Sequence, residues 1–122
     1  MRAAAGLFRV LGDPTRLRLA VFLAARGETC VCVLAGALAA PPFKVSRHLG
    51  IMRSAGLVRA RRQGRWMHYR LVSGREGLME CVLKCFRTTL ARGAEAAGDL
   101  RRAGRMKCNT TSCLTNGRRP PK

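Results

Sequence analysis

Acidic residues are scarce in this 122-residue chain, where 6 Asp and Glu stand against 24 Lys and Arg and leave a formal charge of +18. Such an excess is self-repulsive until an anion screens it, and nucleic acid is the commonest anionic partner. Aromatic residues make up only 5% of the chain, while apolar residues reach 48%. This apolar content suffices for one modest hydrophobic core. The chain is also too short for most two-domain enzymes.

Long apolar runs are missing as well. No stretch approaches the ~20 residues of a membrane span, and Arg9, Asp13 and Arg16 interrupt any apolar core of a signal peptide. We therefore expect a cytoplasmic protein with no membrane association. In that compartment the six cysteines are expected to be mostly reduced. Closely spaced thiols then favour a soft-ion site or a redox switch over a disulfide framework.

Four short helices are predicted in the first part of the chain. Their expected bounds are Ala3 to Leu11, Pro14 to Ala25, Cys30 to Ala39 and Phe43 to Ser54. Asp13 is the expected N-cap of the second helix and Thr29 that of the third, while prolines 41 and 42 separate the third from the fourth. Two short helices joined by such a turn predict a helix-turn-helix.

The apolar period changes after Gly56. Two runs with aromatic and alternating residues, Leu57 to Arg62 and Arg65 to Leu71, flank a turn at Gly64 and predict a β-hairpin, which after a helix-turn-helix is a wing. A helical period returns from Glu76 to about Arg102. Its stripe is Met79, Val82, Leu83, Phe86 and Leu90. We expect the terminal helices to pair with those of a second copy.

The predicted fold is therefore mainly α with a small β-hairpin, a winged helix-turn-helix that forms a homodimer through its terminal helices. We expect residues 1–103 to form this DNA-binding domain and residues 104–122 to form a basic, flexible tail.

Positive charge is concentrated on the predicted DNA-reading elements. Between Thr29 and Arg75 the chain has nine Lys and Arg and no acid. Cations on a recognition helix and a wing meet phosphates when that helix enters the major groove, and the first turns of the helix reach base edges. The candidate DNA contacts are Lys44, Ser46, Arg47, His48, Arg53, Arg61, Arg62 and Arg65. For His48, packing inside the domain or a phosphate contact is an equal alternative to base readout.

Cys30 and Cys32 are the most specific chemical signal in the sequence. Two thiolates two residues apart suit a thiophilic ion, and the first turn of a helix stabilises the anion. In a regular helix the two side chains would point ~200° apart, so ion binding would have to distort the third helix. Unwinding that helix would misplace the DNA-reading helix beside it. The alternative is two small buried residues without a ligand.

Four ordered blocks resemble the ArsR/SmtB family, and within it the arsenical-resistance operon repressors. The blocks are Leu11 to Leu17, Glu28 to Leu34, Lys44 to Leu49 and Arg62 to Leu71. The resemblance implies a homodimeric winged-helix repressor rather than an enzyme. It also implies that the protein binds an inverted-repeat operator in double-stranded DNA and leaves it on binding trivalent arsenic or antimony.

A third ion ligand is left open. Ala35 stands where the best-known members of the family have a third thiol, so Cys81, Cys85, Cys108 or Cys113, or a small external ligand, would have to complete the site. Zinc sensing is discounted, because the last helix contains no histidine. Two further alternatives are a repressor of the same fold that senses oxidants or reactive sulfur, and a general nucleic-acid-coating protein.

Overall fold

The computed structural model describes residues 1–72 and 77–104, which form six α-helices, one 3₁₀ turn and a three-stranded sheet. None of the helices in these residues is long and apolar enough to cross a membrane. In chain order the elements are α1 (Arg2–Leu11), α2 (Pro14–Arg26), β1 (Thr29–Cys30), α3 (Val31–Leu38), α4 (Pro42–Ser54), β2 (Val58–Gln63), β3 (Trp66–Leu71), α5 (Gly77–Thr88), the 3₁₀ turn (Leu90–Arg92) and α6 (Ala94–Gly104).

The core is centred on α3, of whose eight residues all but Gly36 are buried. This helix contains no charged side chain, so it can be surrounded by α2, α4, α6 and the sheet without leaving an ion unsolvated. The largest side chains packed around it are Leu19, Phe22, Leu49 and Met52. The buried α3 packs against both α4 and the sheet that contains the hairpin, and so supports both elements.

The predicted helix-turn-helix and hairpin are confirmed, and together they form a winged helix-turn-helix. In the hairpin, β2 and β3 are antiparallel from Val58 opposite Leu71 to Gln63 opposite Trp66. Gly64 in the turn has φ +65°, a left-handed conformation that costs glycine little and other residues more. The sequence patterns did not predict the third strand, β1, which pairs Thr29 with Tyr69 and Cys30 with His68.

The expected start of the third helix was wrong. The helix begins at Val31, and its N-cap is Cys30 rather than Thr29. Cys30 has extended backbone angles (φ −73°, ψ 147°) because it pairs with β3. The thiol of Cys30 accepts a hydrogen bond from the backbone N–H of Cys32 at 3.4 Å, which is the bond that a capping side chain makes.

The prediction of a single last helix from Glu76 to about Arg102 was also wrong. Instead α5 ends at Thr88, the 3₁₀ turn follows, and Gly93 in extended conformation (ψ 158°) separates this turn from α6. With this break α5 packs on α2 and α6 packs on α3. Two stripe residues, Leu83 and Phe86, are buried within the chain itself, since α5 packs on α2. Part of the stripe is therefore already covered within one chain. The predicted basic tail after Gly104 lies outside the described residues.

Candidate functional site

Helix α4 is held by one face and presents the other to solvent. Val45, Leu49 and Met52 are fully buried at helical spacing against the domain. The opposite face exposes Lys44 and Arg47, and Arg53 is exposed at the end of the helix. Ser46 is half-buried between these faces. Four of the predicted DNA contacts therefore lie on or beside an accessible cationic surface.

His48 is placed differently, because it is buried with only 8% of its surface exposed. Its Nδ1 lies 4.0 Å from Oδ2 of Asp13 and has no hydrogen-bond partner among the described residues. Burial lowers the pKa of His48, against the opposing effect of the Asp13 carboxylate. This position fits the packing alternative rather than base readout: His48 seats α4 against the start of α2.

Asp13 caps α2 at the same junction. Its Oδ2 accepts a hydrogen bond from the backbone N–H of Arg16 at 3.1 Å. This N–H is the main reason that the pKa of Asp13 is lowered. The junction between α2 and α4 is thus fixed by a cap on one side and by a packed imidazole on the other.

The hairpin carries the remaining predicted DNA contacts. Arg61 and Arg62 are exposed near the end of β2, and Arg65 is half-buried beside the turn. Arg61 differs from the other two because its guanidinium donates to Glu28, with Nε 2.9 Å from Oε2. The hairpin and α4 lie in one acid-free segment, so cations of both elements can face the same polyanion.

The thiol pair is already assembled. The Sγ atoms of Cys30 and Cys32 are 2.8 Å apart, farther than the ~2.05 Å of a disulfide bond. They converge because Cys30 is the extended N-cap and Cys32 lies in the first turn of α3. The expectation that the two side chains diverge, and that ion binding must unwind the helix, was therefore wrong. It assumed helical geometry for Cys30, whereas the pairing of β1 with β3 holds it in strand geometry.

Both thiols are inside the domain, with 2% of Cys30 and 1% of Cys32 exposed. They lie at the N-terminal end of α3, where the helix dipole stabilises a thiolate. Through Cys30 they are bonded to the hairpin, and through α3 they are connected to α4, which packs against it. The pair thus contacts both elements that carry the exposed cations.

The four candidates for a third ligand lie on α5 and beyond Gly104. Cys81 and Cys85 are exposed one turn apart on α5, and Cys108 and Cys113 lie outside the described residues. Within residues 1–72 and 77–104, no three His, Cys, Asp or Glu side chains are grouped to hold a metal ion. The thiol pair therefore supplies two sulfurs as the described chain is arranged.

Sequence reasoning missed a buried ion cluster on the other side of α3. Asp99 of α6 is 1% exposed and accepts hydrogen bonds from Arg18 and Arg102, both at 2.7 Å. Arg102 also donates to the carbonyl oxygen of Ala37 at 2.7 Å, and Arg18 to that of Leu38 at 3.4 Å. These bonds tie the C-terminal end of α3 to α2 and α6. The i, i+3 spacing of Asp99 and Arg102 was a local signal, but the link to Arg18 is tertiary.

Comparison with known proteins gives consistent findings. A family model described as bacterial regulatory protein, arsR family, matches residues 13–60. An arsenical resistance operon repressor of Escherichia coli is 49% identical over 65 residues, which are 53% of this chain and 56% of that protein. An arsenic resistance transcriptional regulator of Pseudomonas putida is 46% identical, over 53% of this chain and 51% of its own length. The chain thus spans about half the length of these relatives.

A third relative is matched over most of its length. A helix-turn-helix transcriptional regulator of Methanocaldococcus jannaschii is 43% identical over 72 residues, which cover 59% of this chain and 81% of that protein. Among solved structures, HlyU from Vibrio cholerae superposes with a TM-score of 0.63 at 24% identity, over 75% of this chain and 90% of that one. The structural likeness supports the winged-helix fold.

Proposed function

The chain belongs to the ArsR family of bacterial regulatory proteins, and from this premise we propose that it represses an arsenic-resistance operon and is released from DNA by trivalent arsenic or antimony. Regulators of this family bind DNA through a helix-turn-helix and are not enzymes. The arsenical repressors among its relatives support arsenic as the inducer. We propose that the protein binds DNA and the inducer in the cytoplasm, where thiols stay reduced.

The observation that carries the proposal is the convergence of two buried sulfurs, 2.8 Å apart, at the N-terminal end of α3. Trivalent arsenic and antimony are soft and thiophilic, so a pair of thiolates suits them better than oxygen ligands do. As arsenite binds, two As–S bonds replace two As–O bonds, and the thiol protons leave with the hydroxyl groups as two water molecules. A third coordination position is left for Cys108, Cys113, Cys81, Cys85 or a small external ligand.

The proposed response needs the ion to favour a conformation that fits DNA poorly. Cys30 lies in the sheet that carries the hairpin, and Cys32 lies in the helix that supports α4. Since Arg18 and Arg102 bind the C-terminal end of α3, adjustment around an ion is directed to the other end, at β1. The signal therefore passes through the sheet rather than through an unwound α3.

DNA binding is assigned to the exposed cationic surface of α4 and the hairpin. Lys44, Ser46 and Arg47 on the first turns of α4 would approach the major groove, and Arg53 would contact backbone phosphate. Arg61, Arg62 and Arg65 on the hairpin would contact phosphate or the minor groove. His48 is assigned to packing, because its imidazole is buried.

An inverted-repeat operator requires a two-fold symmetric protein, so the proposal includes a homodimer. Phe8 on α1, Leu78 on α5 and Leu90 in the 3₁₀ turn are large apolar side chains exposed on the terminal elements. We assign the pairing surface to these elements. Sedimentation equilibrium of the protein and a Phe8→Ser, Leu78→Ser variant would measure it, and an unchanged association constant would contradict this assignment.

The function is tested by fluorescence anisotropy with a labelled duplex from the region upstream of the protein's own gene. We expect tight binding to this duplex, weaker binding to a mixed-sequence duplex, and release on addition of arsenite. A Cys30→Ser, Cys32→Ser variant should bind the duplex and ignore arsenite. The matched control is Cys81→Ser, Cys85→Ser, which also removes two thiols but leaves the pair at α3. Arsenite release by the first variant would contradict the proposed site.

The alternative inducer is an oxidant, and the short separation of the two sulfurs is the observation that favours it. Hydrogen peroxide would take two electrons and two protons from the thiols, join them as a disulfide and leave as water. Mass spectrometry of the protein released from DNA distinguishes the arsenic hypothesis from the oxidant hypothesis. A mass loss of two hydrogens, with no response to arsenite, would replace arsenic by an oxidant as the inducer.

A further inference from the structure

Glu28 lies at the edge of the cationic surface, between α2 and β1. It is the last acid before the acid-free segment that contains α4 and the hairpin. Its Oε2 accepts a hydrogen bond from Nε of Arg61 at 2.9 Å and a second from Nη2 of the same guanidinium. Its Oε1 lies 4.0 Å from Nε of Arg70 on β3. One carboxylate thus reaches both long strands of the hairpin sheet.

The sheet register explains this meeting. Cys30 and Arg61 are both opposite His68, on the two sides of β3, so they share one face of the sheet. Arg70 is two residues from His68 on β3, so its side chain points to the same face, and Glu28, immediately before β1, meets both arginines there. The side chain of Glu28 is only 26% exposed. Arg61, followed by weaker effects of His68 and Arg70, lowers its pKa, so Glu28 is ionised at neutral pH.

The bonds that Glu28 accepts are those that a DNA phosphate would use. A guanidinium presents its N–H groups as a fork, which binds one carboxylate or one phosphate at a time through the same edge. Arg62, the next residue, has no carboxylate within 4.0 Å in the described part of the chain. The two neighbouring guanidinium groups therefore carry the same charge, but only that of Arg61 is already paired with a carboxylate of the described chain.

We propose that Glu28 is an internal competitor of DNA, whose carboxylate holds the guanidinium of Arg61 until a DNA phosphate displaces it. The inference rests on the proposed DNA binding and adds a residue that sets its strength. Glu28 lowers the affinity of the hairpin for phosphate. Glu28 directly precedes β1, the strand through which the thiol pair joins the sheet.

The test compares Glu28→Gln with Glu80→Gln, which removes the same charge from an exposed position on α5. Binding to the upstream duplex and to a mixed-sequence duplex is measured by anisotropy between 50 and 200 mM salt, without arsenite. Glu28→Gln should bind about two- to fivefold more tightly, as expected for an exposed ion pair. Its plot of log K against log salt should keep the wild-type slope, because Arg61 contacts a phosphate in both complexes and the substitution removes only the cost of displacing Glu28.

A double-mutant cycle separates this competition from a general change in charge. In an Arg61→Gln background, Glu28→Gln should give no gain in affinity, because the contested guanidinium is absent. An equal gain with and without Arg61, or an equal gain in Glu80→Gln, would overturn the proposal. Failure of the proposed repressor function would look different, since wild type would then bind both duplexes equally. Circular dichroism of each variant checks that the fold is kept.

Discussion

Replacing Asp99 by Asn tests the ion cluster that binds α6 to the rest of the domain. Asparagine keeps the volume of the side chain but removes the charge that faces Arg18 and Arg102. In the wild type the carboxylate accepts three charge-assisted hydrogen bonds, at 2.7 and 3.2 Å from Arg18 and at 2.7 Å from Arg102. Removing one partner of a fully buried ion pair costs ~3–5 kcal/mol.

The cost should be lower here because water reaches both arginines, whose side chains are 25% and 44% exposed. We therefore expect Asp99→Asn to lose about 2–3 kcal/mol of unfolding free energy in urea titration. The melting temperature should fall by about 8–12 °C, given ~4 °C per kcal/mol for a domain of this size.

The matched control for this change is Glu95→Gln. Glu95 also lies near Arg18, at 3.4 Å, but its side chain is 71% exposed, so water screens the pair. This variant should change the unfolding free energy by less than ~0.5 kcal/mol. If Asp99→Asn were no less stable than Glu95→Gln, the cluster would not be what holds α6 on α3.

Three further variants test the turn, the cap and the tail. Gly64→Ala should lower the unfolding free energy by ~1 kcal/mol because φ is +65°, whereas Gly50→Ala within α4 should not lower it; equal effects in urea titration would contradict the strain argument. Asp13→Ala should lower the unfolding free energy by ~1 kcal/mol at pH 7. Since the pKa of Asp13 is lowered from 3.8 in the folded protein, this loss should shrink as the pH falls below 3.8. A loss that stays constant between pH 7 and pH 3 would refute the role of the carboxylate. Removal of residues 105–122, which include five Lys and Arg, should weaken binding to mixed-sequence DNA and flatten its salt dependence; a changed preference for the upstream duplex would instead assign the tail a role in specificity.

Local sequence signals predicted helix and turn positions correctly where the deciding contacts are close in sequence. The Asp13-Pro14 start of α2, the proline boundary before α4 and the Gly64 turn are each decided within a few residues, and each is confirmed. The prediction of one last helix was wrong because its apolar stripe ends at Leu90 and carries no evidence for helix beyond that residue. The chain leaves the helix at Thr88, and Gly93 ends the 3₁₀ turn before α6, which packs on α3.

The sequence by itself determined the chemistry available to this protein: two thiols two residues apart, a cationic segment without acids, and apolar periods that produce a winged helix-turn-helix. Only the tertiary structure decided how these groups meet. The pairing of Cys30 with His68 turns the predicted first helical residue into a strand residue and brings two sulfurs together. The same sheet brings Glu28 to Arg61, 33 residues away. Both outcomes depend on strand pairing, which joins residues distant in sequence and leaves no periodic trace in either segment alone.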